Sequence, residues 1–193
     1  MPKLILASQS PRRRELLMEA GYEFHLGIVD VEEVHDAGAP ILELTALNSK
    51  LKAQAASAKF PGALILAADT LVACNGEALG KPRDLDDARA MLSRLAGRTH
   101  EVATAVTLFC AEAEIDREFI VTTAVRFLPL DAAGIDAYLD KVHVLDKAGA
   151  YAAQDHAELI IAEITGSRTN VIGLPMERLA EELAALGIHP QKG

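Results

Sequence analysis

The chain has 193 residues and a mass of 20.6 kDa, with 28 acidic and 19 basic side chains and a formal charge of −9. Hydrophobic residues make up 50% of it and mean hydropathy is +0.16, which excludes intrinsic disorder as the main state. A pI near 5.1 argues against broad binding to nucleic acid or anionic membrane, because the field of the whole molecule repels polyanions. An anionic ligand must therefore be caught by a local basic cluster.

The length suits one domain spanning residues 1–193. No apolar stretch reaches the roughly 18 residues of a membrane span. Met1-Pro2-Lys3 runs straight into a short apolar segment with no cleavage pattern, so a cytoplasmic protein is expected. Cys74 and Cys110, both in apolar segments, make neither a disulfide scaffold nor a zinc site.

In chain order, Lys3 to Ala7 reads as a short buried strand. Ser10 is a good N-cap and Pro11 a good first helical residue, so a helix is expected from Pro11 to about Ala20, ending at Gly21. Tyr22 to Val29 suggests a second strand that ends in the acidic turn Asp30-Val31-Glu32-Glu33. Pro40 to about Lys59 has helical spacing, with Leu44, Leu47 and Leu51 on one face. Ala63 to Cys74 is the most hydrophobic stretch and predicts a central strand interrupted by Asp69. Asn75-Gly76 is a strong hairpin signal. A helix is expected over Asp84–Leu95, strands over His100–Cys110 and Phe119–Leu128, and a helix from Asp131 to about Val142. A loop from Leu145 to Asp155, a strand over Leu159–Ile164 and a helix from Pro175 to about Leu186 complete the reading. Strands and helices alternate irregularly, which points to an α/β fold with a mixed sheet rather than a regular βαβ array.

Four segments carry chemistry. Ser8-Gln9-Ser10-Pro11-Arg12-Arg13-Arg14 places three arginines at the positive end of a helix dipole. A bound phosphate would resolve that conflict, with the Ser8 and Ser10 hydroxyls and the arginine forks as donors. An exposed arginine cluster is the competing reading, and Arg14 is the residue expected merely to be solvated. Asp69 ends a buried apolar run, where a carboxylate needs a counter-charge or a metal. Glu33, with Asp30 and Glu32 beside it, is a second candidate carboxylate, or part of an exposed acidic turn.

Gly76-Glu77-Ala78-Leu79-Gly80-Lys81-Pro82 has one residue too few between its glycines for a phosphate-binding P-loop, and Pro82 replaces the required Ser or Thr. Lys81, held between Gly80 and Pro82, could still meet a phosphate; a solvated hairpin lysine is the default, as it is for Lys52. Leu145 to Gln154 combines small residues, which admit a ligand to the backbone, with a Gln154 amide able to donate and accept toward a base edge. A tight structural loop holding an Asp146–Lys147 pair reads equally well. The histidines lack metal-ligand spacing, and no serine or thiol hydrolase signature is present.

Taken together, LILASQSPRRRELL, the Glu33 region, AADTLV, GEALGKPRD, LAGRTHEVATAV, DKAGAYAAQ and GSRTNVIGLP resemble the Maf family of nucleoside triphosphate pyrophosphatases over nearly the whole chain. The resemblance implies a curved mixed sheet with flanking helices, related to inosine triphosphate pyrophosphatases, with a cleft between two lobes. It also implies hydrolysis between the α and β phosphates. Arg12, Lys52 and Gln154 are similar to the dTTP/UTP type, and Asp69-Thr70 differs from the Asp-Gln of 7-methyl-GTP-type relatives. On this resemblance Ser8, Ser10, Arg12 and Arg13 bind the triphosphate, with Lys52 and Lys81 closing around it and Gln154 on the pyrimidine. Glu33 and Asp69 are expected to hold Mg²⁺ or Mn²⁺, directly or through water; Asp69 either takes the proton of the attacking water or serves only as a metal ligand, and Lys81 joins them as a catalytic residue. A homodimer is suggested, with no nucleic-acid or membrane partner. Because related proteins are named for inhibiting septum formation, a nucleotide-binding regulator of cell division is the alternative.

Overall fold

The computed structural model describes residues 2–34 and 39–191. In chain order its elements are β1 (Leu4–Leu6), α1 (Pro11–Glu19), β2 (His25–Leu26), α2 (Ile41–Lys59), β3 (Leu64–Cys74), β4 (Glu77–Leu79), α3 (Leu85–Leu95), β5 (Thr99–Cys110), β6 (Ile115–Phe127), α4 (Ala132–Leu139), β7 (Ile161–Thr165), α5 (Arg168–Ile172) and α6 (Met176–Ala185). Among the described residues the strands form one seven-stranded sheet in the order β2-β1-β3-β5-β6-β7, with β4 paired to β3 off that path. The pairs of β1 with β2 and β3 are parallel and the others antiparallel, so the sheet is mixed as expected. No helix among the described residues is long and apolar enough to cross a membrane.

Local signals explain most boundaries. Gly21, at φ +77°, closes α1: Tyr22 N–H reaches back to the Leu17 carbonyl and Gly21 N–H to that of Met18. Asn75 and Gly76 both have positive φ, which makes the tight turn between β3 and β4. The Asp84 and Asp131 carboxylates accept from the amides of Asp87 and Gly134 and start α3 and α4. Ser10 has the extended backbone of a cap, but its hydroxyl makes no capping bond; its amide donates instead to Ser8 Oγ.

Four expectations need correction. The second strand shrinks to two residues because β1 offers only three before the chain turns away, leaving rungs at Ile5–His25 and Leu6–Leu26. Asp69 does not interrupt β3; its backbone stays in the ladder opposite Ala105 while its side chain finds a counter-charge. β6 begins at Ile115, before Phe119, because the Ala111–Glu114 turn returns the chain directly into register with Cys110. On α2, Leu44 is buried but Leu47 is 45% exposed; the seated stripe runs through Thr45, Ser49, Ala53 and Ala56. Small residues there let the helix approach the sheet closely.

Both faces of β3 are covered. Leu64, Leu66 and Ala68 pack with Leu17 of α1 and Leu179 and Leu183 of α6. Ile65 and Ala67 point the other way, against Ala53 and Ala56 of α2. Alternation puts Asp69 on that α2 face. Val72 and Cys74 belong to a further cluster with Leu92, Tyr138 and Tyr151.

Helix α5 was not foreseen. It starts where Ser167 Oγ accepts the Asn170 amide, and fully buried Asn170 donates through Nδ2 to Val102 O and Thr123 Oγ1, both at 3.0 Å. Asn170→Ala removes both donations from a fully buried position, which lowers unfolding free energy by about 2 kcal/mol. Urea unfolding of the two proteins checks this. An unchanged midpoint would show that α5 does not depend on that amide.

Candidate active site

A cleft of about 710 Å³ opens where the chain leaves β1 and enters α1. Its lining includes Ser8, Ser10, Arg12, Arg13, Glu33, Lys52, Asp69, Lys81 and Gln154. The structure thus brings these nine residues, all singled out from the sequence, to one place. Arg14 faces solvent, as expected of it. Lys50, beside Lys52 in sequence, turns away toward Asp116 at 3.9 Å.

At the cleft floor, Lys52 Nζ lies 2.6 Å from Asp69 Oδ1 and 2.8 Å from Glu33 Oε1. All three side chains are substantially buried, Asp69 most deeply at 7% exposure. The second Asp69 oxygen, Oδ2, is buried with no hydrogen-bond partner among the described residues. Two carboxylates that converge on one ammonium, one with an unsatisfied oxygen, form a donor set suited to a hard divalent cation. Glu33 reaches this point because Asn48, one helical turn before Lys52, grips the backbone of Val34. Its amide donates to Val34 O at 3.1 Å and its carbonyl accepts from Val34 N at 2.8 Å. Sequence reasoning passed over Asn48; the available signal was a polar residue four positions from Lys52 on the same helix face.

Arg13 is buried beneath α1. Nε donates to Gly173 O at 2.7 Å, Nη1 to Ala68 O at 2.9 Å and Ser8 Oγ at 3.2 Å, and Nη2 to Thr70 Oγ1 at 3.0 Å. Burial lowers its pKa, opposed by the nearby charge of Asp69. Most of its donors are therefore spent on protein oxygens, and its charge reaches the cleft mainly as a field. Ser8 Oγ accepts from Arg13 and from the Ser10 amide, which leaves its own O–H as a donor for a ligand.

Arg12 crosses the cleft to Asp146, with Nη1 2.8 Å from Oδ2. Lys147 also meets Asp146, at 2.8 Å. Burial opposes the Asp146 charge, but hydrogen bonds from Lys147 and Arg12 outweigh it and draw the pKa down to about 2. The small-residue loop is fixed further by Gly149, at φ +68°, whose amide donates to Gly80 O beside Lys81. A Cβ on Gly149 would lie 3.0 Å from Val72, so the loop can approach β3 only without a side chain there. Lys81 and Gln154 are both exposed at the rim. Arg12, Arg13, Lys81 and Lys147 all line the cleft and make one end of it basic in an acidic protein.

The chain is similar to known proteins over nearly its whole length. Residues 3–186 match the profile of the Maf-like protein family. The dTTP/UTP pyrophosphatase of Akkermansia muciniphila is 44% identical over 97% of this chain and 98% of its own. That of Symbiobacterium thermophilum is 44% identical over 97% and 95%. Among solved structures, the Staphylococcus aureus Ham1 protein superposes with a TM-score of 0.57 at 17% identity, over 95% of this chain and 99% of that one. That likeness is one of fold.

Behind the loop, His100 is 2% exposed, its Nε2 2.9 Å from Tyr151 Oη and its ring edge-on to Phe127 and Tyr151. Nδ1 has no partner, and burial pushes the imidazole pKa from 6.5 down to about 4. Because the unfolded chain binds the proton more tightly, this neutral histidine stabilises the fold fully above about pH 6.5 and loses that contribution as pH falls toward 4. Urea unfolding of wild type and His100→Gln between pH 7 and pH 4.5 should show wild type losing more stability, by on the order of 1 kcal/mol per pH unit. Parallel pH curves would contradict a neutral buried His100.

Proposed function

The chain belongs to the Maf-like protein family, and from its cleft we propose that it is a nucleoside triphosphate pyrophosphatase acting on dTTP and UTP. The observation that carries this is the meeting of Asp69 and Glu33 on Lys52 next to the basic start of α1. Phosphate charge has cations and helix amides to settle on, and the water that attacks it has a carboxylate beside it.

In this reading the triphosphate lies across the N-terminus of α1. The Ser8 hydroxyl, the amides of the first helical turn and the unused donors of Arg12 hold its oxygens. Ser10 adds a hydroxyl that no cap bond consumes. Lys81, exposed at the rim, closes from the opposite side. Arg13 supplies charge from beneath and keeps Ser8 turned toward the ligand. Gln154 meets the thymine or uracil edge, whose N3–H donor stands beside carbonyl acceptors that an amide can match.

Asp69 is the proton acceptor. Oδ1 is committed to Lys52, and the unpartnered Oδ2 takes the proton as water attacks the α phosphorus. Charge then builds on the leaving pyrophosphate, which Lys81, Arg12 and the α1 dipole stabilise. Glu33, with Asp69 through a bridging water, would hold Mg²⁺ or Mn²⁺, the convergence of the two carboxylates on a single cation being the fit. Such an ion neutralises phosphate charge and lowers the pKa of bound water. Lys52 keeps the two carboxylates together at the floor.

The decisive assay offers dTTP, UTP, CTP, 7-methyl-GTP and ITP with Mg²⁺ or Mn²⁺ and separates pyrophosphate from orthophosphate. Pyrophosphate from dTTP and UTP is expected, and Asp69→Asn should lower turnover at least about a hundredfold while its circular dichroism matches wild type. Orthophosphate as product, or near-normal activity in Asp69→Asn, would contradict the mechanism. Nucleotide bound without turnover would favour a regulatory binding protein.

A further inference from the structure

Residues 166–175, GSRTNVIGLP, take no direct part in the reaction just described, yet they tie the two ends of the cleft together. Asn170 anchors α5 to β5 and β6 through Val102 O and Thr123 Oγ1, and its own carbonyl accepts from Thr104 Oγ1 at 3.1 Å. Ser167 adds a reciprocal pair with Thr123, donating through its amide and accepting at its carbonyl. From this fixed helix the Gly173 carbonyl holds Arg13 on the phosphate side. On the base side, Arg168 Nη2 donates to Ala153 O at 2.6 Å.

Arg168 is exposed and does not belong to the lining of the cleft, so its reach toward ligand runs through Ala153. Ala153 O and Gln154 N–H share one planar peptide unit. A bond that fixes the carbonyl therefore fixes the plane from which the Gln154 side chain departs. The Tyr151–Ala152 peptide is held as well: Ala152 N–H donates to Tyr138 Oη at 2.9 Å, and Tyr138 is fully buried. Ala152 and Ala153 are buried between these two clamps, while Gln154 emerges exposed at the rim. Of the two clamps, only the Arg168 bond is charge-assisted and acts on the peptide of Gln154 itself.

We propose that Arg168 is a positioning residue for nucleobase recognition, setting the Gln154 amide through the Ala153 carbonyl. This rests on the reading that Gln154 meets the base. Arg168 contributes no contact to phosphate, so its removal weakens the binding of matched pyrimidine nucleotides and leaves the chemical step alone. Lysine retains a charged donor on a shorter, unforked stem and restores part of the effect.

The test measures kcat and KM for UTP and CTP in wild type, Arg168→Met, Arg168→Lys and Gln154→Ala, with a thermal melt of each. Arg168→Met should raise KM for UTP about tenfold and cut the UTP-to-CTP ratio of kcat/KM by a similar factor, the effect expected for one hydrogen bond from a charged donor. Its kcat for UTP should stay within about twofold of wild type. Arg168→Lys should fall between the two, and would carry the test if the methionine variant failed to fold. Equal losses for UTP and CTP in both Arg168 variants would overturn the proposal, because they would place Arg168 on phosphate or on overall stability. If Gln154→Ala shifts the ratio and the Arg168 variants do not, the positioning role fails while the base reading stands. If Gln154→Ala leaves the ratio unchanged, the base reading itself fails and takes this proposal with it.

Discussion

A buried carboxylate on a central apolar strand must meet a positive charge, and at Asp69 that charge comes from Lys52. The rest of the cleft follows from this pairing. For Lys52 to reach β3, α2 must lie close to the sheet, which its Thr45, Ser49, Ala53 and Ala56 face allows. Ser49 adds a hydroxyl contact to Thr107 of β5 at 2.8 Å. Once α2 is seated, Asn48 holds Val34 and delivers Glu33 to the same ammonium. A buried ion pair of this kind is weak evidence for stability, since desolvation can exceed the Coulombic gain. Its value here lies in holding two acids and a base at one spot facing the cleft.

The second buried charge, Arg13, organises the opposite side. Its guanidinium collects carbonyls from β3 and from the end of α5, so the start of α1 is fixed relative to both. Function then sits on short connections held by these rigid elements: the β1–α1 turn, the acidic turn and the loop from Asp146 to Gln154. Arg12 and Asp146 join the first of these to the last across the cleft. The two ends of the cleft are therefore set by the same scaffold.

Much of this was legible in the sequence, and the reasons differ by element. β3, the Asn75-Gly76 hairpin and the helices beginning at Asp84 and Asp131 carry local signals, and each appears where its chemistry requires. Arginines at a helix start and a lone Asp in an apolar strand are local conflicts, and such conflicts pointed to the cleft. Other features have no local signature. Helix α5 is five residues long, too short for a periodic pattern. β6 starts among Asp116, Arg117 and Glu118, whose charges mask a strand that β5 dictates. The seated face of α2 is small and partly polar, so its leucines suggested the wrong stripe. Arg13 reads as a phosphate ligand until its partners, as far as 160 positions away, are in place. Asn48 and Arg168 likewise acquire meaning only from backbone atoms that the fold brings to them.

The central claim is that water attacks the α phosphorus and displaces pyrophosphate. Hydrolysing dTTP in ¹⁸O-labelled water and locating the label by mass spectrometry tests it most directly. The account predicts ¹⁸O in the nucleoside monophosphate and unlabelled pyrophosphate. Label in pyrophosphate, or in released orthophosphate, would contradict it.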